Sequence, residues 1–350
     1  MTGLLLLNIN HKQLGSKNKF WLFDISFLYT FSVLSFFSAI RDDCGCDYYS
    51  YVRHIENIQA GFPNYMEEGF QIVARQIGSF SHNPRYVIIL FGILTCFFFV
   101  KAIWDQSQNK LLSVYLFLTW GLYFMTFNTI RNYFALSVIF YAIKFLLTNK
   151  KGIAFFVLLT IAAAFFHASA LVCLPLYLLA LNISIEKKHF PWLFVAIIVL
   201  LLLQIPLRSY VFFYYNSYEG SEYDTDRVSY LNVIKALFII GLCLKYKAIM
   251  YKDKYLKFYF NLNVFALVLY LGVYWLPEIS RIGFYMNMTV IFLIPSLVAQ
   301  IKSKVDRTNL TAFIIVISFI MFILLLIQFS SVNTRILPYK TWLYDGHFRI

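Results

Sequence analysis

Polar side chains that can carry chemistry fall at a few places in a sequence that is 60% hydrophobic. A loop over 41–85 holds four arginines and six acids. Arg131, His167 and Arg281 each lie inside a long apolar stretch. Guanidinium groups bind carboxylate or phosphate through paired hydrogen bonds, and histidine and carboxylate side chains exchange protons near neutral pH. These residue types predict a site that binds an anionic group and carries out acid–base chemistry.

The composition identifies the kind of element that must position these residues. Charged residues make up 13% of the chain, whereas about a quarter of the residues of a soluble protein are charged. The mean hydropathy is +0.68. We therefore expect an all-α polytopic membrane protein. The net charge of +13 does not indicate nucleic-acid binding, because the basic residues separate apolar runs and form no patch on a soluble face.

Apolar segments long enough to cross a hydrocarbon core of about 30 Å define the expected spans. Three segments are too long to cross once and have lysines at both ends, so the positive-inside rule predicts a helical hairpin in each. Arg131, His167 and Arg281 lie at the three predicted hairpin tips. The expected single spans are 20–40, 86–104, 191–207, 229–244 and 312–329, and the expected hairpins are 111–147, 153–181 and 258–301.

Together these segments predict about eleven transmembrane helices in one domain over 1–350, with the N-terminus cytoplasmic and the C-terminus outside. Outer loops are expected over 41–85 and about 208–228. In this topology 17 lysines and one arginine are cytoplasmic, whereas ten arginines and two lysines are outside. The topology rule needs only positive charge. The outer arginines therefore indicate a separate requirement, which recognition of carboxylate or phosphate would meet.

Metal and cofactor signatures are weak. Of the five cysteines, only Cys44 and Cys46 lie in the first outer loop, and their one-residue spacer differs from the two-residue spacer usual at zinc sites. The sequence has no pair of metal-binding carboxylates at a fixed spacing and no glycine-rich phosphate loop. We predict neither an essential metal nor a cofactor.

Short motifs occur along nearly the whole chain in a characteristic order. They are Arg41-Asp42, Gly45-Cys46-Asp47-Tyr48, Tyr51, Glu68-Gly69-Phe70, the segment 128–135 around Arg131, Phe166-His167-Ala168-Ser169-Ala170, Ser280-Arg281-Ile282-Gly283 and Pro338-Tyr339-Lys340. This order resembles the EpsG family of Wzy-like polysaccharide polymerases. Cys46 departs from the pattern, because a small hydroxyl residue is expected after the glycine.

The resemblance implies polymerisation of undecaprenyl-diphosphate-linked oligosaccharide repeat units into an O-antigen, capsule or exopolysaccharide. The reaction would take place at the outer face of the bacterial plasma (inner) membrane, in a multi-pass protein with a GT-C-like fold. The expected partners are the lipid-linked oligosaccharides, the lipid bilayer, a chain-length regulator and a flippase. Because the energy for transfer is already in the lipid diphosphate, no soluble nucleotide is needed.

In this reaction the diphosphate leaves with growing negative charge, which positioned cations stabilise. We assign this role to Arg131, Arg281 and Arg41. The alternative for Arg131 and Arg281 is snorkelling to lipid headgroups. The alternative for Arg41 is pairing with the two acids that follow it in the chain.

The acceptor hydroxyl benefits from a general base. The resemblance points to His167, Asp47 and Glu68 as the catalytic candidates for this role. The alternative for His167 is a hydrogen-bonded structural histidine. The alternative for each of the two carboxylates is a structural ion pair.

Four other functions stay open behind the polymerase. A glycosyltransferase with a single polyprenyl-linked sugar donor would use an early acidic pair, such as Asp42-Asp43. A polysaccharide flippase or other transporter would place charges near the bilayer midplane. A membrane O-acyltransferase would use a buried histidine facing a cytoplasmic acyl donor, and a scaffold protein would not need arginine and lysine on different sides.

Overall fold

The computed structural model describes residues 24–214, 219–220, 228–276, 279–331 and 334–343, without the side chains of 214 and 279–281. Within these ranges the chain forms α-helices and two short 3-10 helices, with no strand. This confirms the all-helical prediction. The predicted cytoplasmic N-terminus and most of the predicted second outer loop lie outside the described residues.

We number the helices in chain order. They are α1 (Ile25–Ala39), α2 (Tyr48–Gln59), α3 (Glu68–Gly78), α4 (Arg85–Gln106), α5 (Lys110–Thr119), α6 (Leu122–Met125), α7 (Ile130–Leu146), α8 (Lys150–Ala164), α9 (Cys173–Asn182), α10 (Phe190–Leu202), α11 (Gln204–Tyr214), α12 (Tyr230–Lys245), α13 (Lys247–Met250), α14 (Lys254–Gly272), α15 (Ile279–Asn287), α16 (Val290–Ala299) and α17 (Lys304–Phe329). The 3-10 helices are Ala168–Val172 and Lys187–His189.

Several helix starts follow local signals in the sequence. Asp24, Asn109, Asn149 and Asp253 precede α1, α5, α8 and α14, and each side chain accepts a hydrogen bond from a backbone N–H of the first turn. Such a cap satisfies an N–H group that has no partner inside the helix and contributes about 1 kcal/mol. The helices therefore begin where polar residues interrupt the apolar runs.

Four described helices are long and apolar enough to cross a membrane, namely α4, α14, α17 and the segment Ile282–Ala299. A fifth candidate is the pair Lys187–Leu202 and Gln204–Phe213, which bends by 58° between its halves. Shorter apolar helices are Ile25–Ala39, Lys110–Thr119 and Ala168–Asn182. These helices are those of a multi-pass membrane protein, and the count of eleven crossings and their orientation stay predictions.

The chain divides into two compact units. One comprises Met1–Leu171 with Lys304–Ile350, and the other comprises Val172–Ser303. The expectation of a single domain over 1–350 stays a prediction.

In the first unit α4 and α7 run parallel. Phe91 contacts Phe134, and about two turns further along Phe99 contacts Phe140, with ring centroids 5.1 and 5.6 Å apart. Because both contacts advance in the same direction along the two helices, their starts lie at the same end of the unit.

Helices α1 and α8 run antiparallel to this pair. Asp24 precedes α1, and its carboxylate accepts a hydrogen bond of 3.0 Å from the indole N–H of Trp104 at the end of α4. Phe155 near the start of α8 contacts Phe145 at the end of α7, with ring centroids 5.8 Å apart. The starts of α4 and α7 therefore lie at the same end of the unit as the ends of α1 and α8.

The two ends of α4 carry different cations. At its C-terminal end, Lys101 and Lys144 bind the carboxylate of Asp105 at 2.6 and 2.7 Å. At its N-terminal end, Arg85 binds Asp42 at 3.1 Å. Lysine and arginine are therefore separated along the helix axis, and the side of the membrane that each faces stays a prediction.

In the second unit α14 packs antiparallel against α15 and α16. The Asp253 carboxylate before α14 accepts a hydrogen bond of 2.6 Å from Gln300, which follows α16. Tyr259 contacts Phe292 with ring centroids 5.7 Å apart. This pairing is the helical hairpin expected over 258–301. The hairpin expected first in the chain corresponds to α5, α6 and α7, whereas the arms of the second, α8 and α9, belong to different units.

Candidate functional site

The carboxylate of Glu67 connects two of the predicted site residues in the first unit. Its Oε1 lies 3.1 Å from His167 Nδ1 and accepts a hydrogen bond of 3.1 Å from the backbone N–H of Ala168. Its Oε2 forms a direct ion pair with Nη1 of Arg131. The three side chains are partly buried, with 13% to 22% of each exposed. A carboxylate, a guanidinium and an imidazole therefore form one hydrogen-bonded cluster, which we call the Glu67 cluster.

A close approach between α3 and the end of α8 makes the cluster possible. The backbone N–H of Gly69 donates a hydrogen bond of 3.0 Å to the carbonyl oxygen of Phe165. A Cβ atom at Gly69 would lie 2.7 Å from that same oxygen, which is too close for a larger residue. Glu67 precedes α3 and His167 follows α8 by a few residues, so this contact brings their side chains together.

Hydrogen bonds from a buried side chain stabilise the turn that leads into Glu67. Gln71 is buried, and its side-chain amide donates hydrogen bonds of 2.6 and 3.2 Å to the carbonyl oxygens of Met66 and Asn64. The Asn64 side chain in turn accepts a hydrogen bond of 3.1 Å from the backbone N–H of Met66. Because buried carbonyl groups are costly without partners, these bonds stabilise one conformation of the turn.

Arg131 lies in the first turn of α7 with aromatic rings around it. The rings of Tyr51 and Phe70 each lie 6.0 Å from its guanidinium carbon, at the outer limit of a cation–π interaction. Its Nε atom is buried without a hydrogen-bond partner among the described residues. Arg131 therefore pairs with Glu67 while keeping further donor capacity.

The bond to Glu67 sets the tautomer of His167. A carboxylate only accepts hydrogen bonds, so Nδ1 carries the proton that points at Oε1. In the neutral ring Nε2 then holds the lone pair, and the negative charge of Glu67 stabilises the imidazolium that forms when Nε2 takes up a proton. This geometry is that of a carboxylate and histidine pair able to act as a general base.

Arg41, the first residue of the loop 41–85, is 2% exposed. Its Nη1 donates to the hydroxyl and the carbonyl oxygen of Ser38, and the ring of Phe127 lies 4.9 Å from its guanidinium carbon. Nε and Nη2 are buried without a partner among the described residues. Burial lowers the pKa of Arg41. Its contact with a diphosphate stays a prediction.

The two acids that follow Arg41 have other partners. Asp42 binds Arg85 at 3.1 Å, and Asp43 binds both Arg335 and Lys340, at 2.6 and 2.7 Å. The two bonds of Asp43 attach the C-terminal segment 334–343 to the loop 41–85. The early acidic pair is therefore engaged in structural ion pairs.

Asp47 directly precedes α2 and is partly buried. Its Oδ1 lies 3.7 Å from Sγ of Cys46, and the backbone N–H of Cys46 donates 3.0 Å to the side chain of Asn128. Gly45, with φ of +101°, allows this approach, since a Cβ atom there would lie 2.6 Å from the carbonyl oxygen of Phe127. The motif around Asp47 thus packs against the segment that leads into Arg131.

The last two predicted site residues are Glu68 and Arg281. Glu68 is about half exposed and binds Arg75 at 3.2 Å. Arg281 lies in α15 of the second unit, and its side chain is outside the described residues. Its neighbour Gly283 packs against the ring of Tyr270, where a Cβ atom would clash.

Two residues of this region escaped the sequence analysis. Glu67 is one of six acids in the loop 41–85. Its sequence context does not distinguish it from its neighbour Glu68 as a partner for His167. His54 lies in α2, and burial together with the positive charges of Arg131 and Arg53 lowers its pKa. No group of three or more metal-ligating side chains occurs within the described part of the chain.

The chain was compared with curated proteins, with solved structures and with models of protein families. No curated protein and no solved structure matches the chain. The sequence profile of one family matches residues 24–341, which is nearly the whole chain and contains every predicted site residue. The chain belongs to the EpsG family, a family of Wzy-like polymerases.

Proposed function

We propose that this chain is a glycosyltransferase that joins undecaprenyl-diphosphate-linked oligosaccharide repeat units into a surface polysaccharide. Membership of the EpsG family supports a role in polysaccharide polymerisation. The observation that carries the proposal is the Glu67 cluster, in which one carboxylate bridges His167 and Arg131. Transfer from a lipid diphosphate needs a base for the acceptor and a cation for the leaving group, and this cluster supplies both.

His167 acts as the base in this mechanism. A hydroxyl of the acceptor sugar attacks the anomeric carbon of the donor repeat unit, and its proton passes to Nε2 of His167. Glu67 holds the Nδ1–H bond and stabilises the resulting imidazolium. A positioned general base contributes about 10² to 10⁴-fold to the rate.

Arg131 stabilises the leaving group. The bond between the anomeric carbon and the diphosphate oxygen breaks while the glycosidic bond forms, and undecaprenyl diphosphate departs with the bonding electrons. The guanidinium of Arg131 presents donors beyond the one used by Glu67, and hydrogen bonds from a preorganised cation to a developing anion contribute about 3 to 4 kcal/mol. Arg281 is proposed to act on the same diphosphate.

The remaining assignments follow from the expected topology. We place the arginine-rich end of the first unit at the outer face of the bacterial plasma membrane, in a chain that crosses the membrane about eleven times. Arg41 keeps its predicted role towards the diphosphate, and Asp47 and Glu68 stay further candidates for the base that we assign to His167. A flippase supplies the lipid-linked units on this face, and a chain-length regulator limits the product.

A gene deletion in the native host tests the function. The surface polysaccharide is separated on a gel that resolves one repeat unit from the next. Our proposal predicts loss of the ladder while single-unit material is retained, because assembly and export of the unit do not depend on the polymerase. Loss of even the single unit would point instead to repeat-unit assembly or flipping, and an unchanged ladder would contradict a polymerase role.

A further inference from the structure

Tyr65 is an exposed aromatic residue that the structure holds in a fixed orientation. Its side chain is 76% exposed. Its hydroxyl nevertheless lies 3.0 Å from Nε2 of His54, and the two rings meet edge to face with centroids 4.8 Å apart. An exposed tyrosine with one contact turns freely, whereas this ring is constrained at its edge and at its hydroxyl.

The direction of each hydrogen bond in this group can be assigned. The backbone N–H of Met66 donates to Oδ1 of Asn64, which directs the amide nitrogen of Asn64 towards Nδ1 of His54 at 3.1 Å. An amide nitrogen only donates, so Nδ1 accepts and the proton of the neutral ring is on Nε2. Nε2–H therefore donates to the oxygen of Tyr65. The Tyr65 O–H is left to donate elsewhere, and it has no acceptor among the described residues.

This group lies beside the Glu67 cluster. Tyr65 is two residues before Glu67 on the same turn. His54 is one helical turn from Tyr51 on the same face of α2, and the Tyr51 ring lies against Arg131. The positive charge of Arg131 also contributes to the lowered pKa of His54. A ligand on the Tyr65 ring would therefore lie close to the reacting groups.

We propose that Tyr65, oriented by His54, is a saccharide-binding platform for one sugar of the lipid-linked substrates. The electron-rich face of an aromatic ring attracts polarised C–H groups such as those on one face of a pyranose. The Tyr65 O–H donates a hydrogen bond to an oxygen of that sugar. This bond fixes the position of the sugar on the tyrosine ring. This inference rests on the proposed polymerase function and adds to it a subsite for the glycan, separate from the groups that bind the diphosphate.

The test is a steady-state polymerisation assay on full-length protein in membrane vesicles. The substrate is the lipid-linked repeat unit extracted from a host strain that lacks this chain. Three variants are compared: Tyr65→Leu removes the ring, Tyr65→Phe keeps the ring without the hydroxyl, and His54→Gln loosens the orientation. Phe80→Leu is the matched control, because Phe80 is a 91% exposed aromatic residue in the same outer loop.

We expect Tyr65→Leu to raise KM about 10-fold, the value of a lost aromatic stacking contact, with kcat changed less than about twofold. Tyr65→Phe removes the hydrogen bond to the sugar and also the acceptor of the His54 Nε2–H, so it should raise KM about threefold or more. His54→Gln should fall between wild type and Tyr65→Leu. Phe80→Leu should match wild type.

Other outcomes separate the two proposals. If Tyr65→Leu leaves KM unchanged in an active enzyme, or lowers only the abundance of the protein, Tyr65 is an interfacial aromatic residue and the platform is refuted. Tyr65→Phe keeps the shape of the ring. An unchanged KM in this variant therefore refutes the hydrogen-bond part of the proposal, even if Tyr65→Leu is produced at low abundance. If wild-type vesicles form no polymer from these units, the proposed function fails, and that result is distinct from an unchanged KM.

Discussion

Glu67 Oε1 lies 3.1 Å from His167 Nδ1, although 100 residues separate the two in the chain. The contact depends on the backbone of Gly69 meeting the backbone of Phe165, and it places a carboxylate behind the histidine and beside Arg131. The arrangement gives His167 one tautomer and gives the region a base and a cation.

Replacing Glu67 with Gln should lower polymerisation by about 10²-fold or more, because an amide does not stabilise the imidazolium of His167 as a carboxylate does. The measurement is polymer formation by vesicles with equal amounts of protein. Glu56→Gln is the control, since Glu56 is an exposed acid of the same loop. Glu68→Gln should have a smaller effect than Glu67→Gln, and the reverse order would transfer the role to Glu68.

Replacing Arg131 with Lys should impair polymerisation almost as much as Arg131→Ala, by about 10² to 10³-fold. A lysine supplies the charge but not the planar set of donors that serves Glu67 and a diphosphate together. Membrane abundance of both variants is measured first. Full activity of Arg131→Lys would show that the residue only anchors the chain at the lipid headgroups.

Replacing Gly69 with Ala should destabilise the folded protein by about 1 to 3 kcal/mol, since the new methyl group would press on the carbonyl oxygen of Phe165. The same change should reduce activity by displacing Glu67. Gly241→Ala provides the comparison, because no atom lies within 4 Å of a Cβ there, and alanine is favoured over glycine in a helix by about 0.5 to 1 kcal/mol. Thermal unfolding in detergent measures both, and equal melting temperatures for the two variants would be evidence against the close contact.

His54 should make stability depend on pH below neutrality. Its folded-state pKa is lowered by burial and by the charges of Arg131 and Arg53, so the unfolded chain binds its proton first as the pH falls. The neutral ring also accepts the bond from Asn64, and protonation removes that bond. The contribution of His54 to the free energy of unfolding is therefore complete above the ordinary histidine pKa of about 6.5 and is lost as the pH falls below it. The melting temperature of wild type should approach that of His54→Gln as the pH is lowered, and a constant difference between pH 7.5 and 5 would exclude this effect.

The placement of the arginine-rich end can be tested through the native cysteines. Cys46 is exposed, whereas Cys44, Cys96, Cys173 and Cys243 are buried. A maleimide that does not cross membranes should therefore label wild-type protein in intact cells whose surface is accessible, and Cys46→Ser should abolish the label. Labelling of sealed inverted vesicles, with no labelling of intact cells, would place this loop in the cytoplasm.

Hydropathy predicted the positions of several helices, because apolar length is a local property of the chain. The segments expected over 86–104 and 312–329 correspond to α4 and α17, and the stretch expected to return on itself over 258–301 forms α14 with α15 and α16. The span expected over 191–207 is instead part of a bent pair, Lys187–Leu202 and Gln204–Phe213. Hydropathy does not show the break after Leu202, since both halves are apolar, but Pro206 gives a signal for it. Proline has no backbone N–H to donate to the carbonyl oxygen four residues earlier, which here is that of Leu202.

The candidate site was only partly predictable. Arg131 and His167 were found because polar residues inside apolar runs are costly and therefore conspicuous. The choice between Glu67 and Glu68 was not available from sequence, because two adjacent carboxylates differ only in the direction in which the start of α3 points them. The burial of Arg41 was equally hidden, since it depends on Phe127 and Ser38 packing around a residue that ends an apolar segment.

The central claim is that this chain forms glycosidic bonds between lipid-linked repeat units through the Glu67 cluster. The most direct measurement supplies purified full-length protein in lipid vesicles with extracted undecaprenyl-diphosphate-linked repeat units, and follows polymer length together with released undecaprenyl diphosphate. The account predicts a ladder of products with one lipid diphosphate released for each bond formed, and a loss of both with His167→Ala and Glu67→Gln. Polymer formation at the wild-type rate by these variants, or no polymer from the wild-type protein, would contradict it.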